Sequence, residues 1–577
     1  MRQWMVAAKK ADFYAIAEKF HVDPVVARII RNREVIGEKN IRIYLGGNLS
    51  DLSDPHQMKD MDRLVEILAQ KIRKQVHIRI IGDYDVDGVT SSHLFLTALR
   101  RVGAKVDVVI PHRIQDGYGL SLHLLQQAKE DGVDTILTCD NGIAAIDEIA
   151  WAKAQKMTVL VTDHHAVPFE EHEGRRTEKK SLADAVVNPH QQDCGYPYKE
   201  LCGAGVAWNV IRVLYENYDM DKREAEDLLD FVAMATVCDV MSLTGENRIL
   251  VKEGLKRIRH TKNIGLQALM QACNVQPENI SAYHFGYVLG PCVNATGRLD
   301  TARHALRLFE TGQETEAEEI ARDLVDLNQE RKELTLQGVE MAKKLCEEGG
   351  YENDPILVLF LPDVHESIAG LIAGRIREMY NRPVFVLTRG EEGVKGSGRS
   401  TENYSMYENM CGCAELFTKF GGHPMAAGLS LPEENVEKFR RKINENCPLT
   451  VEEVCPDIHI DMAMPVGYAS TELVHQFALL EPFGKDNPSP LFADRNLSIS
   501  RMWVIGKNRN VLRMSVLSEY GQPVPVIFFG DVETLFAYFT EKFGQEEVEN
   551  ALHGRKNRRK QSISMRQKTS GATSRNM

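Results

Sequence analysis

The stretch that decides the fold is VHIRIIGDYDVDG, residues 76–88. Its apolar run predicts a buried β-strand, and Asp83, Asp85 and Asp87 follow where that strand gives way to a loop. Alternate side chains of an extended chain point the same way, so the three carboxylates are expected to converge. Close anions are unfavourable without a cation. A solvated acidic turn explains this stretch alone equally well, whereas an EF-hand-like calcium loop is excluded because Leu94 stands where its bidentate Glu is required.

The same pattern returns further along the chain. Apolar runs predict strands over residues 106–111, 134–140, 157–165 and 184–189, with amphipathic helical segments between them. Apolar strands that alternate with helices indicate an α/β fold with a mostly parallel sheet, whose carboxyl ends form the ligand crevice. We expect these side chains at that edge, the last of them from a fourth apolar segment: Asp140, Asp163, His164, His165 and Asp239.

Carboxylates and imidazoles at one sheet edge indicate a metal site. Together they offer enough oxygen and nitrogen ligands for two divalent ions that share a bridging carboxylate. A set of Asp and His without thiolate suits Mn²⁺, Mg²⁺ or Zn²⁺, and several carboxylates favour the harder ions. Two such ions can lower the pKa of a shared water and stabilise an in-line phosphoryl displacement. The residues therefore predict a metal-dependent hydrolase of phosphate esters.

The rest of the chain divides into further predicted segments. Residues 301–349 have the pattern of a charged, solvated helix, and a second α/β pattern follows it. Beyond about residue 448, short apolar runs separated by Gly, Pro and Asn predict a small β-barrel or sandwich. The predicted divisions are an N-terminal segment 1–50, a first lobe 51–305, a connector helix 306–350, a second lobe 351–447, a β-barrel domain 448–553 and a basic tail 554–577.

Charge and composition exclude several classes of protein. The 577 residues contain 70 Lys+Arg and 82 Asp+Glu, a formal net charge of −12, which argues mildly against a general nucleic-acid binder. A hydrophobic content of 43% excludes a mostly disordered or collagen-like chain. Eleven cysteines are typical of reduced thiols in a cytoplasmic protein. No window reaches the ~18 apolar residues of a membrane span, so no membrane partner is expected.

Several motifs resemble a known family. DYDVDG (83–88), CDNG (139–142) and DHH (163–165) resemble the DHH phosphoesterase superfamily, and GSGRS (396–400) with GGHPMAAG (421–428) resembles its DHHA1 domain. The motifs GPCVNATGRLD (290–300), LNQERK (327–332) and EPFGKDNPSP (481–490) narrow the resemblance to the RecJ family of single-strand-specific 5′→3′ DNA exonucleases, over about residues 50–545. The resemblance implies two α/β lobes, a DHH parallel-sheet domain and a DHHA1 domain, joined by a long helix and followed by a C-terminal β-barrel of OB type.

The resemblance also assigns the metal centre. It implies two divalent ions, Mn²⁺ first and Mg²⁺ as the alternative. Asp163 would orient the histidine pair. His165, Asp85 and Asp140 would be the catalytic residues, with His165 against the scissile phosphate, where it could stabilise charge or donate a proton. The implied metal ligands are Asp83, Asp85, Asp87, Asp140, His164 and Asp239.

A second set of residues is expected to hold single-stranded DNA. Arginine, serine and glycine backbone groups would bind phosphates, and Tyr118 would stack a base. A single Gly-rich stretch taken alone is more often a tight turn. The implied set is Arg113, Tyr118, Asn294, Arg298, Ser397, Arg399, Gly421, Gly422 and His423. The 5′ end would lie in the second lobe and 5′-mononucleotides would be released, with a helicase and a single-strand-binding protein as further partners.

Three features depart from the family pattern. Cys292 stands where relatives usually have Arg, PDVHESIAGLIAG (362–374) lacks a usual Trp and Gly-Val-x-Gly core, and the basic tail replaces the closing strands of the barrel. Two other functions remain open. One is a phosphodiesterase of the same superfamily that acts on short oligonucleotides, although such relatives are shorter. The other is a non-catalytic replication scaffold, although such proteins lose metal ligands that this chain keeps.

Overall fold

A computed structural model describes residues 4–113, 116–117, 119–172, 175–390, 393–455, 457–506 and 508–553. Within these ranges the chain forms two compact units. The first unit contains residues 38–455 and 482–488, and the second contains residues 4–37, 457–481 and 489–553. Tyr118 and the basic tail 554–577 lie outside the described residues.

The strands are short and occur in both units. In chain order they are β1 (Trp4–Val6), β2 (Ile78–Ile81), β3 (Val106–Val109), β4 (Thr135–Cys139), β5 (Thr158–Thr162), β6 (Phe169–His172), β7 (Arg175–Glu178), β8 (Ala185–Val187), β9 (Leu357–Phe360), β10 (Val384–Gly390), β11 (Gly393–Arg399), β12 (Lys419–His423), β13 (Ala426–Leu431), β14 (Ile458–Ile460), β15 (Met462–Ala463), β16 (Phe492–Ala493), β17 (Ser498–Ile505), β18 (Val511–Leu517) and β19 (Pro523–Phe529).

Helices separate the strands of the first unit, and the last two helices follow the strands of the second unit. In chain order they are α1 (Phe13–Phe20), α2 (Pro24–Asn32), α3 (Glu38–Gly46), α4 (Met61–Arg73), α5 (Val86–Arg101), α6 (Leu122–Glu130), α7 (Ile146–Ala154), α8 (Gly203–Asn217), α9 (Arg223–Glu226), α10 (Leu229–Cys238), α11 (Gly245–Arg257), α12 (Ile264–Ala272), α13 (Ala282–His284), α14 (Gly290–Leu299), α15 (Arg303–Glu310), α16 (Glu314–Glu348), α17 (Ala369–Tyr380), α18 (Met406–Cys411), α19 (Val436–Glu445), α20 (Thr471–Phe477), α21 (Val532–Phe543) and α22 (Gln545–His553).

The first sheet has the order β3-β2-β4-β5-β8, and every pairing in it is parallel. All residues of β2, β4 and β8 are buried, as strands covered on both faces require. Helix α5 is buried along most of its length and packs against α8. The predicted parallel α/β sheet is therefore confirmed, with strands shorter than predicted because the acidic residues already belong to the connections.

The second sheet belongs to the same unit and has the order β12-β13-β11-β10-β9. Only β9 and β10 pair in parallel; β10, β11, β13 and β12 pair antiparallel. The first Gly-rich motif lies mostly in strand β11, and the second runs from β12 through a turn into β13.

The connector contains two helices where one was expected. Helix α15 ends at Glu310, and α16 begins at Glu314 and runs for 35 residues to Glu348. One face of α16 is buried and the other is exposed, as its charge pattern predicts. The long helix of the predicted fold is thus α16.

The second unit combines both ends of the described chain. Strand β1 pairs in parallel with β14, β15 pairs with β16, and β17, β18 and β19 form an antiparallel sheet. Met502 and Leu512 on the buried face of this sheet share a core with Val532 and Phe539 of α21. The described strands do not close into a barrel, so the closed β-barrel expected here is corrected to open sheets. Along the described residues, no helix combines the length and apolarity needed to cross a bilayer.

Candidate metal centre and phosphate cavities

Three neighbouring strands deliver acidic residues to one edge of the first sheet. Asp83 follows β2, Asp140 follows β4 and Asp163 follows β5, and these strands are adjacent in the sheet. Asp140 has a φ of 61°, so the chain turns away from β4 at this residue. The expectation that carboxylates gather at the carboxyl edge of a parallel sheet is met for these three positions.

Asp239 reaches the same place from a helix rather than from a strand. It caps the C-terminus of α10, whose first eight residues are all buried. The sequence identifies this segment only as an apolar run, because a helix that is apolar all round carries no 3.6-residue signal. The expected position of Asp239 at the site is met, and the segment that carries it is a helix.

Asp85 and Asp87 lie at the N-terminus of α5 rather than on an extended chain. Asp85 is the N-cap and accepts a hydrogen bond from the Gly88 N–H at 3.0 Å. Asp87 lies in the first turn and accepts from the N–H groups of Gly203 at 2.6 Å and Ala204 at 2.7 Å. The alternation argument is corrected accordingly: the carboxylates converge because a strand end meets two helix N-termini.

The predicted ligand atoms form one compact cluster. His164 Nε2 lies 3.1 Å from an oxygen of Asp140, 3.7 Å from one of Asp87 and 3.6 Å from one of Asp239. This nitrogen is buried and makes no hydrogen bond of normal geometry to any described residue. Three overlapping sets of side chains have ligand atoms within 4.8 Å of one another: Asp83, Asp85 and Asp140; Asp87, His164 and Asp239; Asp140, His164 and His165.

Electrostatics indicate that this cluster requires cations. Burial raises the pKa of Asp83, Asp140 and Asp239 well above the usual range, and the neighbouring carboxylates raise each pKa further. Burial and the charge of Asp87 also raise the pKa of Asp85. Buried anions at these distances are stable only when positive charge compensates them. Oxygen donors with one imidazole suit a hard divalent ion, so the residues present fit the implied metals.

Asp163 holds the histidine pair from outside the cluster. One of its oxygens accepts hydrogen bonds from the N–H groups of His164 at 2.7 Å and His165 at 3.0 Å, and contacts His165 Nδ1 at 2.8 Å. Its other oxygen accepts from the Ile143 N–H at 2.8 Å. Burial opposes a charged His165, but the hydrogen bond with Asp163 and the surrounding carboxylates raise the pKa of His165 to about 9. The contact with Asp163 therefore favours the protonated form of His165 and holds its ring beside the cluster.

The cluster opens into a cavity of ≈ 290 Å³, here called the acidic cavity. Within it, the guanidinium of Arg113 lies 4.8 Å from the centre of the Tyr84 ring. The side-chain oxygen of Asn294 accepts a hydrogen bond from the Val86 N–H at 3.2 Å. The lining residues are Asp83, Tyr84, Asp85, Val86, Asp87, Arg113, Cys238, Asp239, Asn294 and Arg298.

A second cavity of ≈ 430 Å³, here called the second-sheet cavity, lies beside it. Tyr84 and Arg113 line both cavities, which makes the two spaces neighbours across these side chains. The remaining lining residues come from the second sheet and its connections, with Gly117 from the first lobe: Gly117, Glu366, Ser367, Ala369, Thr388, Lys395, Gly396, Ser397, Lys419, Phe420, Gly421, Gly428, Leu429 and Ser430.

Arginines accumulate around these cavities. Burial, followed by the charges of Arg113, Arg331 and Arg399, lowers the pKa of Arg298 to about 10. Burial, Arg113 and Arg377 likewise lower the pKa of Arg399. Arg298 donates a hydrogen bond to the Ser367 carbonyl at 2.6 Å, which links α14 to the second lobe. Buried cations that repel one another provide a site for an anion such as phosphate.

The predicted DNA residues divide into those that reach a cavity and those that do not. Arg113, Asn294 and Arg298 line the acidic cavity, and Ser397 and Gly421 line the second-sheet cavity. The remaining members of the set that the structure describes lie on β11 and β12 outside both linings: Arg399, Gly422 and His423.

Sequence reasoning missed three lysines. Lys395 and Lys419 line the second-sheet cavity. Lys395 directly precedes the first Gly-rich motif and Lys419 lies two residues before the second, which is the signal that could have found them. Lys485 lies in EPFGKDNPSP, and its charge lowers the pKa of Asp239 against burial. Residues 482–488 belong to the first unit, where the Leu243 N–H donates to the Lys485 carbonyl at 2.9 Å. That motif is therefore part of the site rather than of the second unit.

Comparison with known proteins identifies three domain families along the chain. The DHH family, N-terminal domain, matches residues 77–236, the DHHA1 domain matches residues 353–447 and the RecJ OB domain matches residues 460–561. The single-stranded-DNA-specific exonuclease RecJ of Haemophilus influenzae is 34% identical over 518 residues, which cover 86% of this chain and 88% of that protein. The RecJ of Bacillus subtilis is 33% identical over 512 residues, 88% of this chain but only 63% of that longer protein.

Solved structures agree with the sequence comparison. RecJ from Thermus thermophilus in complex with Mn²⁺ matches with a TM-score of 0.76 at 27% identity, over 91% of this chain and 74% of that chain. The same protein in complex with Mg²⁺ matches with a TM-score of 0.71 at 26% identity, over 91% of this chain and 72% of that chain. The two complexes contain Mn²⁺ and Mg²⁺, and both ions suit the side chains of the cluster described above. By its metal-ligand cluster, its successive domains and these relatives, the chain belongs to the RecJ family of single-stranded-DNA-specific exonucleases.

Proposed function

We propose that the chain is a metal-dependent exonuclease that degrades single-stranded DNA from the 5′ end and releases 5′-mononucleotides. The observation that carries this proposal is the shared wall of the two cavities. Arg113 borders both the acidic cavity, which holds the carboxylates, and the second-sheet cavity, which is lined by lysine, serine and backbone groups. A terminal nucleotide could place one phosphate in each.

The metal ligands proposed are Asp83, Asp85, Asp87, Asp140, His164 and Asp239. Divalent ions at these side chains would activate water for attack and offset the negative charge of the phosphodiester. The N–H groups at the start of α8 hold Asp87 in place, and Asp163 holds the loop that carries His164. We propose Mn²⁺ as the working ion, with Mg²⁺ able to replace it.

His165 is proposed to act on the reacting phosphate. The hydrogen bond with Asp163 raises the pKa of His165, which favours donation of a hydrogen bond to the phosphate or of a proton to the leaving 3′ oxygen. The hydrogen bond from Nδ1 to Asp163 leaves Nε2 directed away from that carboxylate. Asp163 is thus a positioning residue and His165 the proposed proton donor.

The basic and polar groups are proposed to hold the strand. Arg113, Arg298 and Asn294 would bind the phosphate that reacts, and Ser397, Gly421 and the two lysines of the second-sheet cavity would bind the 5′ end. None of these groups reads a base, so selection of single strands would follow from shape rather than from sequence. Arg399, Gly422 and His423 are proposed to contact DNA outside the two linings, and Tyr118 is proposed to stack a base.

The cellular setting follows from the same proposal. An exonuclease of this kind needs a source of single strands, so a helicase and a single-strand-binding protein are the partners we propose. All eleven cysteines are free thiols, which suits a reducing compartment, and we propose the cytoplasm.

End-labelled substrates test the proposal. The purified chain with Mn²⁺ is incubated with a single strand labelled at the 5′ end, the same strand labelled at the 3′ end, and the matched duplex. We expect early release of a labelled mononucleotide from the 5′-labelled single strand only. Equal release from both ends would contradict the polarity. Hydrolysis of dinucleotides without attack on the longer strand would favour an oligonucleotide phosphodiesterase, and metal binding without hydrolysis would favour a scaffold.

A further inference from the structure

Two cysteines meet where no proposed step of the nuclease uses a thiol. The Sγ atoms of Cys273 and Cys292 lie 3.8 Å apart. Cys273 caps the C-terminus of α12, and Cys292 lies in the first turn of α14. Cys292 is also the residue at which the chain departs from the arginine usual in its family. Its buried thiol therefore packs against another thiol rather than facing either cavity.

The two thiols differ in the way that a reactive pair requires. Cys273 is half-buried and open to small solutes, whereas Cys292 is 2% exposed. The hydrogen bond with Cys292 lowers the pKa of Cys273, burial opposes this, and the charge of Lys332 lowers it again. The hydrogen bond with Cys273 and burial both raise the pKa of Cys292. Because Cys273 is the more exposed of the two thiols, a small oxidant would reach it before Cys292.

The surroundings allow the sulfurs to approach. A disulfide needs an S–S distance of about 2.05 Å, so the sulfurs must close by somewhat less than 2 Å. Cys273 ends its helix, and Asn274 after it has a φ of 55°, so this side of the pair lies in a turn. Cys292 is fixed by contacts with the Val288 carbonyl at 3.3 Å and the Asn328 amide at 3.4 Å. The movement therefore falls to Cys273.

We propose that Cys273 and Cys292 form a reversible oxidation site that reacts with peroxides. The Cys273 thiolate attacks one oxygen of hydrogen peroxide, the O–O bond breaks, and the departing hydroxide takes up a proton to become water. Cys292 then loses its proton and attacks the sulfur of the Cys273 sulfenic acid, which releases a second water. Two thiols lose two electrons, and one peroxide becomes two waters. A dithiol restores the pair by exchange.

The disulfide would connect α12 to α14, the helix that carries two residues of the acidic cavity. Helix α14 carries Asn294 and Arg298, both of which line the acidic cavity. Asn328, which donates to Cys292, also accepts hydrogen bonds from the guanidinium of Arg331 at 2.9 and 3.1 Å. Oxidation would thus alter a contact adjoining the arginine cluster. The thiol chemistry itself does not depend on the nuclease function proposed above.

Peptide mapping tests the proposal directly. The reduced full-length chain is treated with a small excess of hydrogen peroxide, and free thiols are then alkylated. Cleavage at Lys262, Glu278 and Arg298 separates the two cysteines onto different peptides. We expect these peptides to stay joined after oxidation, with a mass two hydrogens below their sum, and to separate after dithiothreitol. Recovery of both peptides singly alkylated after peroxide, or joined to other cysteines, would overturn the proposal.

Single substitutions distinguish a reactive pair from ordinary packing. In Cys292→Ser the sulfenic acid of Cys273 cannot be resolved, so a dimedone adduct should accumulate on Cys273. In Cys273→Ser the buried Cys292 should stay reduced. Cys411→Ser removes an exposed thiol and should leave the disulfide unchanged. Because the wild-type chain alone already gives the decisive peptide, a variant that fails to fold does not weaken the test. Absence of any dimedone adduct in Cys292→Ser would contradict the assignment of Cys273 as the attacking thiol.

Discussion

Two buried aspartates show that surroundings, rather than residue type, set the chemistry of this site. Burial raises the pKa of Asp140, and Asp87, Asp85 and Asp239 raise it further. Burial acts on Asp163 in the same direction, but His165, His164 and the Ile143 N–H lower its pKa below the usual range. Asp163 is therefore a stable anion that favours the protonated form of His165. Asp140 becomes a stable anion only with a bound cation.

Asp140→Asn is the sharpest residue-scale test. It removes one ligand charge and keeps the side-chain shape, so activity should fall by about 10²–10³-fold or more. In chelator, the variant should melt at a higher temperature than the wild type because one buried repulsion is gone. Added Mn²⁺ should raise the thermal midpoint of the wild type, because an ion that binds only the folded state stabilises it. The thermal midpoint of the variant should rise much less.

The control for that substitution is Asp147→Asn, an exposed acid in the first turn of the helix that follows β4. It should leave both the activity and the response of the thermal midpoint to Mn²⁺ unchanged. Retention of activity by Asp140→Asn within tenfold of the wild type would remove Asp140 from the ligand set.

Asp230 predicts a pH-dependent stability outside the site. Burial raises its pKa to about 6 from the usual 3.8, while hydrogen bonds from Thr261 and the Phe231 N–H oppose the shift. Between these two values the folded state binds more protons than the unfolded state, so stability falls as the pH rises from about 4 to 6. Ionisation costs about 3 kcal/mol at most. Asp230→Asn should match the wild type near pH 4 and exceed its thermal midpoint above pH 6.

Thermal melts across this pH range provide the measurement for Asp230. The exposed Asp326, substituted in the same way, serves as the control and should show no gap that grows with pH. A constant difference between Asp230→Asn and the wild type at every pH would mean that packing, and not ionisation, separates them.

At the scale of elements, the site depends on helix N-termini meeting strand ends. The first N–H groups of α8 bind Asp87, and the strand β4 delivers Asp140 against the same turn. Gly203 permits this approach, because a Cβ there would lie 2.6 Å from the Asp140 Cβ and 2.8 Å from its Oδ1. Close contact of backbone and ligand at this point positions two carboxylates at once.

Gly203→Ala tests that contact. The added methyl group must displace Asp140, so we expect a loss of about 1–3 kcal/mol in stability and a 10- to 100-fold loss in Mn²⁺ affinity. Calorimetric titration with Mn²⁺ and thermal melts in chelator measure the two effects separately. Gly205→Ala is the matched control in the same helix, because its Cβ would have no heavy atom nearer than 3.4 Å. Equal behaviour of the two variants would show that the approach at Gly203 is unimportant.

The sequence predicts the elements that form short apolar runs between amphipathic helices. The parallel strands before Asp83, Asp140 and Asp163 were found from apolar runs, and the order of those acids along the chain located the site. The helical origin of Asp239 was missed because burial on all sides removes the period. The closeness of Gly203 to Asp140 and the thiol pair at Cys273 depend on tertiary contacts that no local pattern encodes.

At the scale of the whole molecule, the net charge is negative, whereas the arginines around the cavities form a local positive region. The chain carries a formal charge of −12, yet Arg113, Arg331 and Arg399 lie close enough to Arg298 to lower its pKa. The carboxylates that face them would be offset by divalent ions. Long-range attraction of DNA is therefore weak, and binding should depend on contacts inside the cavities and on salt.

The salt dependence of DNA binding tests this view. Each phosphate contact to a single strand contributes about 0.7 to the slope of log affinity against log salt concentration. Arg113→Ala, made in the Asp140→Asn background so that DNA stays intact, should reduce that slope by about 0.7. Arg322→Ala removes an exposed arginine on α16 and should leave the slope unchanged. An unchanged slope for Arg113→Ala would exclude a direct phosphate contact.

The left-handed backbone at Asp140, with its φ of 61°, limits which residues can replace this aspartate during evolution. Only glycine, asparagine and aspartate adopt that conformation readily. Asparagine is one nucleotide substitution from aspartate and would preserve the turn while losing the charge. In a duplicated copy of the gene, this single substitution would give a protein that keeps its fold and still binds DNA but no longer hydrolyses it. Inactive descendants of this fold are most readily recognised by Asn at this position.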